Sequence, residues 1–395
     1  MKSLYEEIIK KLMDYNRKYS DRPSKFALKA SSYCALLALK NIFQGKNTPA
    51  KNNKSENIKI AFVLSNMVGD VLVNLHYIEQ FHTKIQHKNV QLDIYTNLNN
   101  EVISGLLYKK DFFSSINKGT HPDKKSYDLI IELVRYPEIL HHSEKLESDN
   151  EEFFPTYIHG LLKFKAENPI FYLNGSWGDR VGIEYARLKG KNRRTQSDIN
   201  DYLQLEKTDY FLDVDPDFES VLNLHGLADR KYITFQRGIA GAGEYTRLWP
   251  LENYEKIVQQ LHRDYPEYKL VQLGRQDTKK IDGIDVDLRG KTSFEELKNI
   301  LKKSAVHIDG DCGMVHFRHS LQGGPSIVLF GPTSAEFIGY PENINLRGDG
   351  CPNFCEWINN NWQEKCIAGF ESLPCMASPD KVYEQLEILI GRYDR

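Results

Sequence analysis

From Ile58 onward, short apolar runs alternate with longer stretches whose apolar residues recur every three or four positions. Ile58-Lys59-Ile60-Ala61-Phe62-Val63-Leu64 reads as a buried strand. Helical spacing begins near Asp70 and is carried by Val71, Leu72, Leu75 and Ile78. Residues 90–95 and 127–133 predict two more strands. Residues from roughly 135 to 210 hold Gly160, Gly175, Gly178 and the basic run Lys189-Gly190-Lys191-Asn192-Arg193-Arg194, and read as the end of one domain and the passage to the next. The alternation then resumes. Strands are predicted at 231–235, 270–274, 307–309 and 326–330, and helices at 251–264, from Ser293 and at 379–391. Glu296 stands three residues after Ser293, the capping-box spacing. Strands alternating with helices predict an α/β fold with parallel sheets covered on both faces.

Ahead of this lies a different segment. Leu4, Ile8, Ile9, Leu12 and Met13 fall at helical spacing, Pro23 interrupts, and a second apolar stretch runs over 26–43 before a polar, basic linker at 45–54. Acidic residues mixed into the apolar face favour a helical flap packed on the first domain over a membrane-surface helix. The expected organisation is a helical extension and linker (1–56), an acceptor-side Rossmann-like domain (57–210), a nucleotide-sugar-binding Rossmann-like domain (211–378) with a four-cysteine element at 351–375, and a C-terminal helix (379–395).

Length changes this picture little: 395 residues suit two domains at the usual ~100–200 each. Charge excludes one class of partner. With 52 basic and 54 acidic residues and a net charge of -2, there is no global basic field to drive nucleic-acid binding. No run approaches the ~20 apolar residues of a membrane span, and the first residues turn acidic without an apolar signal core. A cytoplasmic protein is expected. Of the six cysteines, Cys34 and Cys312 stand apart, while Cys351, Cys355, Cys366 and Cys375 crowd together. In a cytosolic chain that points to metal or reduced thiols rather than disulfides. Four thiolates suit tetrahedral zinc or iron in a structural role, and plain reduced cysteines are the alternative.

In parallel sheets, ligands bind beyond the carboxyl ends of the strands, so the candidate chemistry lies in the segment just after each strand. After the first comes Ser65-Asn66-Met67-Val68-Gly69-Asp70. Asp70 fits either a general base taking a proton from an acceptor hydroxyl or a plain helix cap. Residues 236–250 hold glycines, Arg237 and Arg247 before a helix, which suits a phosphate; an ordinary surface loop has the same composition. Asp309-Gly310-Asp311-Cys312-Gly313-Met314-Val315-His316 is the most informative stretch. It reads as a strand end, a turn and a helix start whose N–H groups at Cys312, Gly313 and Met314 suit a diphosphate without a metal. His316 alone would read as a core histidine.

Asp311-Cys312-Gly313-Met314-Val315-His316 followed by Leu329-Phe330-Gly331-Pro332-Thr333 resembles the donor-site signature of the heptosyltransferase family, glycosyltransferase family 9. Thr246-Arg247-Leu248-Trp249-Pro250, Leu288-Arg289-Gly290-Lys291-Thr292-Ser293, Val68-Gly69-Asp70-Val71-Leu72 and Tyr127-Asp128-Leu129-Ile130-Ile131 resemble other family elements, in order, from about residue 58 to the C-terminus. The resemblance implies a GT-B fold, two Rossmann-like domains facing across a cleft. It implies an inverting sugar transfer from a nucleotide diphosphate, ADP-heptose favoured, with no catalytic cofactor. Asp70 would be the base. Arg247, Asp277, Asp311, Cys312, Gly313 and His316 would form the donor site, with Asp277 on the ribose. Cys351, Cys355, Cys366 and Cys375 resemble the metal-binding cysteine element of the branch that glycosylates autotransporter adhesins.

The implied acceptor is a lipopolysaccharide-type glycolipid or a protein hydroxyl. Peripheral contact with the inner membrane and homo-oligomerisation belong to the same expectation. The sequence departs from the family at Cys312, where Ser or Thr is usual, at Asn66-Met67, where serines are common, and at Arg318 and His319, where residues are small. Cys312 motivates a reading of another class, a catalytically inactive GT-B-like nucleotide-sugar-binding or scaffold protein.

Overall fold

The structure is a computed structural model. It describes Lys10 and, from residue 57 on, all but 86–88, 148–152, 173–175, 198, 200–201, 204, 206–209, 215–216, 230, 238–244, 352–353, 360 and 394–395. The expected N-terminal extension, Lys10 apart, and the centre of the glycine-rich loop after 236 lie outside the described residues.

The chain divides into two compact units, residues 1–98, 110–210 and 357–359 against 99–109, 211–356 and 360–395. In chain order the first sheet contributes β1 (Ile58–Leu64), α1 (Val68–Ile85), β2 (Val90–Thr96), α2 (Asn100–Leu106), β3 (Ser115–Lys118), β4 (Leu129–Leu133), β5 (Pro137–His142), α3 (Glu144–Glu147), α4 (Phe153–Glu167) and α5 (Ser176–Leu188). The five strands lie in the order β3-β2-β1-β4-β5. All pair in parallel except β5, which runs antiparallel to β4. The central β1 is buried from Ile60 to Leu64, as its unbroken apolar run requires of a strand covered on both faces. Phe62 and Phe81 of α1 pack edge-on at 5.2 Å, and Phe81 meets Tyr157 of α4 at 4.9 Å. The hydroxyls of Tyr77 and Tyr157 satisfy one another at 2.6 Å inside this core.

The second unit holds α6 (Phe218–Leu224), β6 (Tyr232–Phe235), α7 (Leu251–Asp264), β7 (Lys269–Gln272), β8 (Val286–Asp287), α8 (Phe294–Lys303), β9 (Val306–Gly310), α9 (Gly313–Ser320), β10 (Ser326–Leu329), α10 (Ala335–Ile338), β11 (Ile344–Leu346) and α11 (Pro379–Tyr393). Its six strands follow the order β11-β10-β9-β6-β7-β8, all parallel. Trp249 and Tyr254 stand edge-to-face at 4.8 Å in the core, and the Trp249 indole N–H reaches the Ala377 carbonyl at 2.8 Å. The Ser293–Glu296 capping box forms in full at the start of α8. Although α2 falls between β2 and β3 in sequence, it clusters with this unit. The fully buried Lys298 of α8 explains part of that, because its ammonium donates to the Gly105 and Asp213 carbonyls at 3.0 and 2.8 Å.

Arg318, where the resembled pattern leads one to expect a small residue, does structural work. It is fully buried on α9, and its guanidinium donates to the Leu301 carbonyl and, at 2.8 and 3.1 Å, to those of Ser304 and Gly324. The carbonyls at the end of α8, orphaned at any helix C-terminus, are thereby satisfied, and burial lowers the guanidinium to about 10. No described helix is long and apolar enough to cross a membrane.

Candidate functional site

Each sheet reverses its strand order once. In the first, the chain moves outward from β1 through β2 to β3, then returns to β4 on the other side of β1. In the second, it moves from β6 through β7 to β8, then returns to β9 on the other side of β6. The carboxyl ends of two adjacent strands whose connections leave in opposite directions open a crevice, the usual ligand position in such sheets. Both crevices carry candidate residues.

At the first, Asp70 is the third residue of α1. It lies in the first turn. Arg193 donates to its Oδ1 at 2.8 Å and to the Val134 carbonyl at 3.4 Å. Beside this pair Arg135 binds Asp179 at 2.5 Å. Burial raises the Asp179 carboxyl, Arg135 and Arg193 pull it back, and Asp70 pushes it further up. Four charges, alternating in sign, thus share the crevice. Arg193 and Arg135 were not among the expected site residues. The signal was present in the basic run at 189–194, but nothing local to it reveals that the turn after α5 comes back to β1.

At the second crevice, Arg247 holds Asp311. Its Nε lies 3.3 Å from Oδ1, and its Nη2 donates to the Asp311 carbonyl. Cys312 is the N-cap of α9, and its sulfur accepts from Met314 N–H at 3.4 Å. The Cys312 N–H itself donates to the Gly310 carbonyl at 2.9 Å. Two of the three N–H groups expected to meet a diphosphate are therefore engaged by the turn itself, and Gly313 opens the helix. The Cys312 thiol also donates to buried Asp309 at 2.6 Å. Burial first, then the Asp309 charge, pushes this thiol well above its ordinary range, so it remains a neutral thiol. His316 sits in the first turns of α9 with Nδ1 2.6 Å from the Tyr340 hydroxyl. Asp277 stands on the loop after β7, at the same sheet edge, exposed and chelated by Arg275 at 3.1 and 3.0 Å.

Around these residues lie buried polar atoms with no hydrogen-bond partner among the described residues: Asp311 Oδ2, Gln236 Oε1, Arg237 Nε and Thr333 Oγ1. They follow β6, β9 and β10, three neighbouring strands. Buried polar atoms left unpaired cost about 1–3 kcal/mol each, and these four share one sheet edge. Gln236 opens the loop at 236–250 and Thr333 closes the Leu329-Phe330-Gly331-Pro332-Thr333 motif, but neither side chain is charged, so the sequence alone does not single them out.

The four cysteines do not gather as expected of a metal centre. Among the described residues, no group of three or more His, Cys, Asp or Glu side chains is arranged to hold a metal ion. Three of the thiols still share surroundings. Burial pushes Cys375 up to about 11, Arg347 opposes this, and Cys351 and Cys366 add to it. The backbone of this element supports the second crevice. Cys355 and Glu356 N–H groups donate to the Pro332 carbonyl at 2.7 and 3.0 Å. Thr246 N–H reaches the Gln363 carbonyl at 3.1 Å, and its hydroxyl the Trp362 carbonyl at 2.9 Å.

Comparison with known proteins agrees with this layout. Residues 159–349 match the family model of glycosyltransferase family 9, the heptosyltransferases. No curated protein sequence matches the chain. Among solved structures, a family 9 glycosyltransferase from Veillonella parvula superposes with a TM-score of 0.54 at 13% identity, covering 87% of this chain and 100% of that one. The E. coli ADP-heptose lipopolysaccharide heptosyltransferase II gives 0.51 at 15% identity, over 86% and 100%. TibC, an iron-containing dodecameric glycosyltransferase of enterotoxigenic E. coli, gives 0.51 at 14%, over 89% and 83%. At such identities the likeness establishes the GT-B fold, two α/β domains built on parallel sheets.

Proposed function

The chain carries a family 9 glycosyltransferase domain over residues 159–349, and from that premise we propose that it moves a heptose from ADP-heptose to a hydroxyl acceptor with inversion at the anomeric carbon. The observation that carries this reading is the division of chemistry between the two switch points: a half-exposed carboxylate at one, a cation and unfilled buried polar atoms at the other. TibC has been captured with ADP-D-beta-D-heptose, which supports the choice of donor. Asp70 accepts the acceptor's hydroxyl proton as the oxygen attacks the anomeric carbon. The glycosidic bond to the diphosphate breaks, and ADP leaves with the bonding pair. Arg247 and the N-terminus of α9 stabilise the charge gathering on the diphosphate. Asp311, Cys312, Gly313 and His316 shape that site, and Asp277 reaches the ribose once it parts from Arg275.

For the acceptor, a lipopolysaccharide-type glycolipid or a protein hydroxyl fits the family, and the reading places the enzyme in the cytoplasm or at the inner membrane's inner face. The four-cysteine element has a structural role in this proposal, and a bound zinc or iron is its extension by analogy with iron-containing TibC; metal analysis of the purified chain checks it. The experiment for the function is ADP release from ADP-heptose with glycolipid and peptide acceptors. Asp70→Ala is expected to lower turnover by about 10²–10⁴-fold while ADP still binds. Turnover unchanged in that variant removes Asp70 as the base. Absence of ADP binding by the wild type favours the inactive scaffold.

A further inference from the structure

We propose that Arg193 is a positioning residue for Asp70, holding one carboxylate oxygen so that the other is presented to the acceptor hydroxyl. The inference rests on the reading of Asp70 as base. Three observations carry it. The first is the contact itself: Arg193 Nη2 lies 2.8 Å from Asp70 Oδ1.

The second is that Arg193 has its own anchors. Its Nη1 donates to Gln196 Oε1 at 3.1 Å, and its Nη2 also reaches the Val134 carbonyl at 3.4 Å. Gln196 is buried, and Val134 follows β4, the partner of β1. The guanidinium is therefore placed by the sheet edge and by its own turn. Its side chain is 13% exposed and that of Asp70 40%, so the arginine forms the floor and the carboxylate the open face. An ordinary surface ion pair, in which two mobile side chains meet in water, lacks this asymmetry.

The third is the charge count. An arginine alone against a carboxylate stabilises its ionised form and makes it a weaker base. Here Asp179 and Arg135 complete the group, and Asp179 lies within electrostatic reach of both Arg193 and Asp70. The charged groups acting on Asp179 are Arg135, Arg193 and Asp70. Arg193 therefore stands between two carboxylates, touching Asp70 directly and reaching Asp179 through its charge. A carboxylate already held in one rotamer also needs less ordering when the acceptor arrives.

The test compares Arg193→Gln, Arg193→Lys and Arg193→Ala with wild type and Asp70→Ala in steady-state transfer, with ADP titration and thermal melting alongside. Arg193→Gln is expected to lose about tenfold or more in kcat with donor KM and ADP affinity within about twofold. Arg193→Lys keeps the charge without the fork and should fall between. Added guanidinium ion should restore part of the Arg193→Ala rate. A kcat for Arg193→Gln near wild type, with Asp70→Ala inactive, overturns the proposal and leaves the base in place. Absence of guanidinium rescue, with melting lowered in step with kcat across the Arg193 variants, overturns it too and assigns Arg193 to folding alone. Should Asp70→Ala itself turn over normally, the reading of the base fails first.

Discussion

The Tyr340 hydroxyl lies 2.6 Å from Nδ1 of His316, joining α9 to the segment just after α10. With the hydroxyl donating, the imidazole proton sits on Nε2, the position the proposed donor site needs for a phosphate oxygen. His319 also packs against the Tyr340 ring, its centroid 4.1 Å away, and binds Glu342. Tyr340 is buried, so His316 is oriented by a tyrosine that is itself packed in place. Tyr340→Phe keeps the ring and removes the hydroxyl. It should weaken ADP binding by about two- to tenfold, the worth of one net hydrogen bond, with little change in melting temperature. Calorimetric titration of ADP measures it, and an unchanged affinity would detach His316 from the donor site.

Cys312 holds the helix cap that the family usually gives to a hydroxyl. Its sulfur accepts from Met314 N–H at 3.4 Å and lies 3.5 Å from the Gln236 amide. A hydroxyl makes a stronger cap. Cys312→Ser should therefore bind ADP at least as tightly as wild type, whereas Cys312→Ala should lose about 0.5–2 kcal/mol of stability with the cap. Because burial keeps the thiol protonated, the native protein should resist alkylation at Cys312 at pH 8, read by mass spectrometry of the labelled peptides. Rapid labelling there would contradict the buried placement.

Legibility in the sequence differs sharply between elements. The β1, α7 and capping-box segments form where the apolar period places them, since each is long or strongly marked. The short strands β3, β8 and β11 hold only two to four residues, too few for a period to emerge. The antiparallel β5 carries His141, His142 and Glu138 in place of a β-branched run. Asp70 and Asp311 are legible as candidates because each follows a strand in a recognisable motif. Arg193 was not, since its partner lies 123 residues away in sequence, and only the return of the chain to the sheet edge brings the two together.

Asp287 and Arg289 give a pH-dependent prediction. Arg289 donates to both carboxylate oxygens of Asp287 at 2.8 Å. Its guanidinium holds that carboxyl down to about 2, below the ordinary 3.8. A carboxylate whose pKa is depressed on folding contributes stability above its unfolded value and loses it as pH falls through the folded one. The contribution should therefore be intact at pH 5 and vanish between about pH 4 and pH 2, and solvent screening limits it to about 1 kcal/mol or less. Urea midpoints measured across that range should fall more steeply for wild type than for Asp287→Asn. Parallel curves would show that the pair adds nothing.

The support that the cysteine element lends to the donor crevice can be separated from any metal it binds. Glu356 is buried, and its Oε1 accepts the Ser334 N–H at 3.2 Å, next to the unpaired Thr333 hydroxyl. Removing that carboxylate strands a buried N–H, which costs about 1–3 kcal/mol. Gly331 approaches from the other side: a Cβ there would stand 2.8 Å from the Thr246 carbonyl and 2.6 Å from the Met376 methyl. The methionine end can swing away, whereas the Thr246 backbone cannot, being tied to Gln363, and the next residue is Arg247. Gly331→Ala should therefore displace the Arg247 segment and weaken ADP binding about tenfold or more, beyond its effect on melting. Glu356→Ala should lower melting with a smaller loss of affinity, since it loosens the turn without pushing on Arg247. Neither variant touches a thiol, so the metal content of the purified protein should stay the same in both. Equal ADP affinity in Gly331→Ala and wild type would show that the close approach of the two turns has no part in holding the donor.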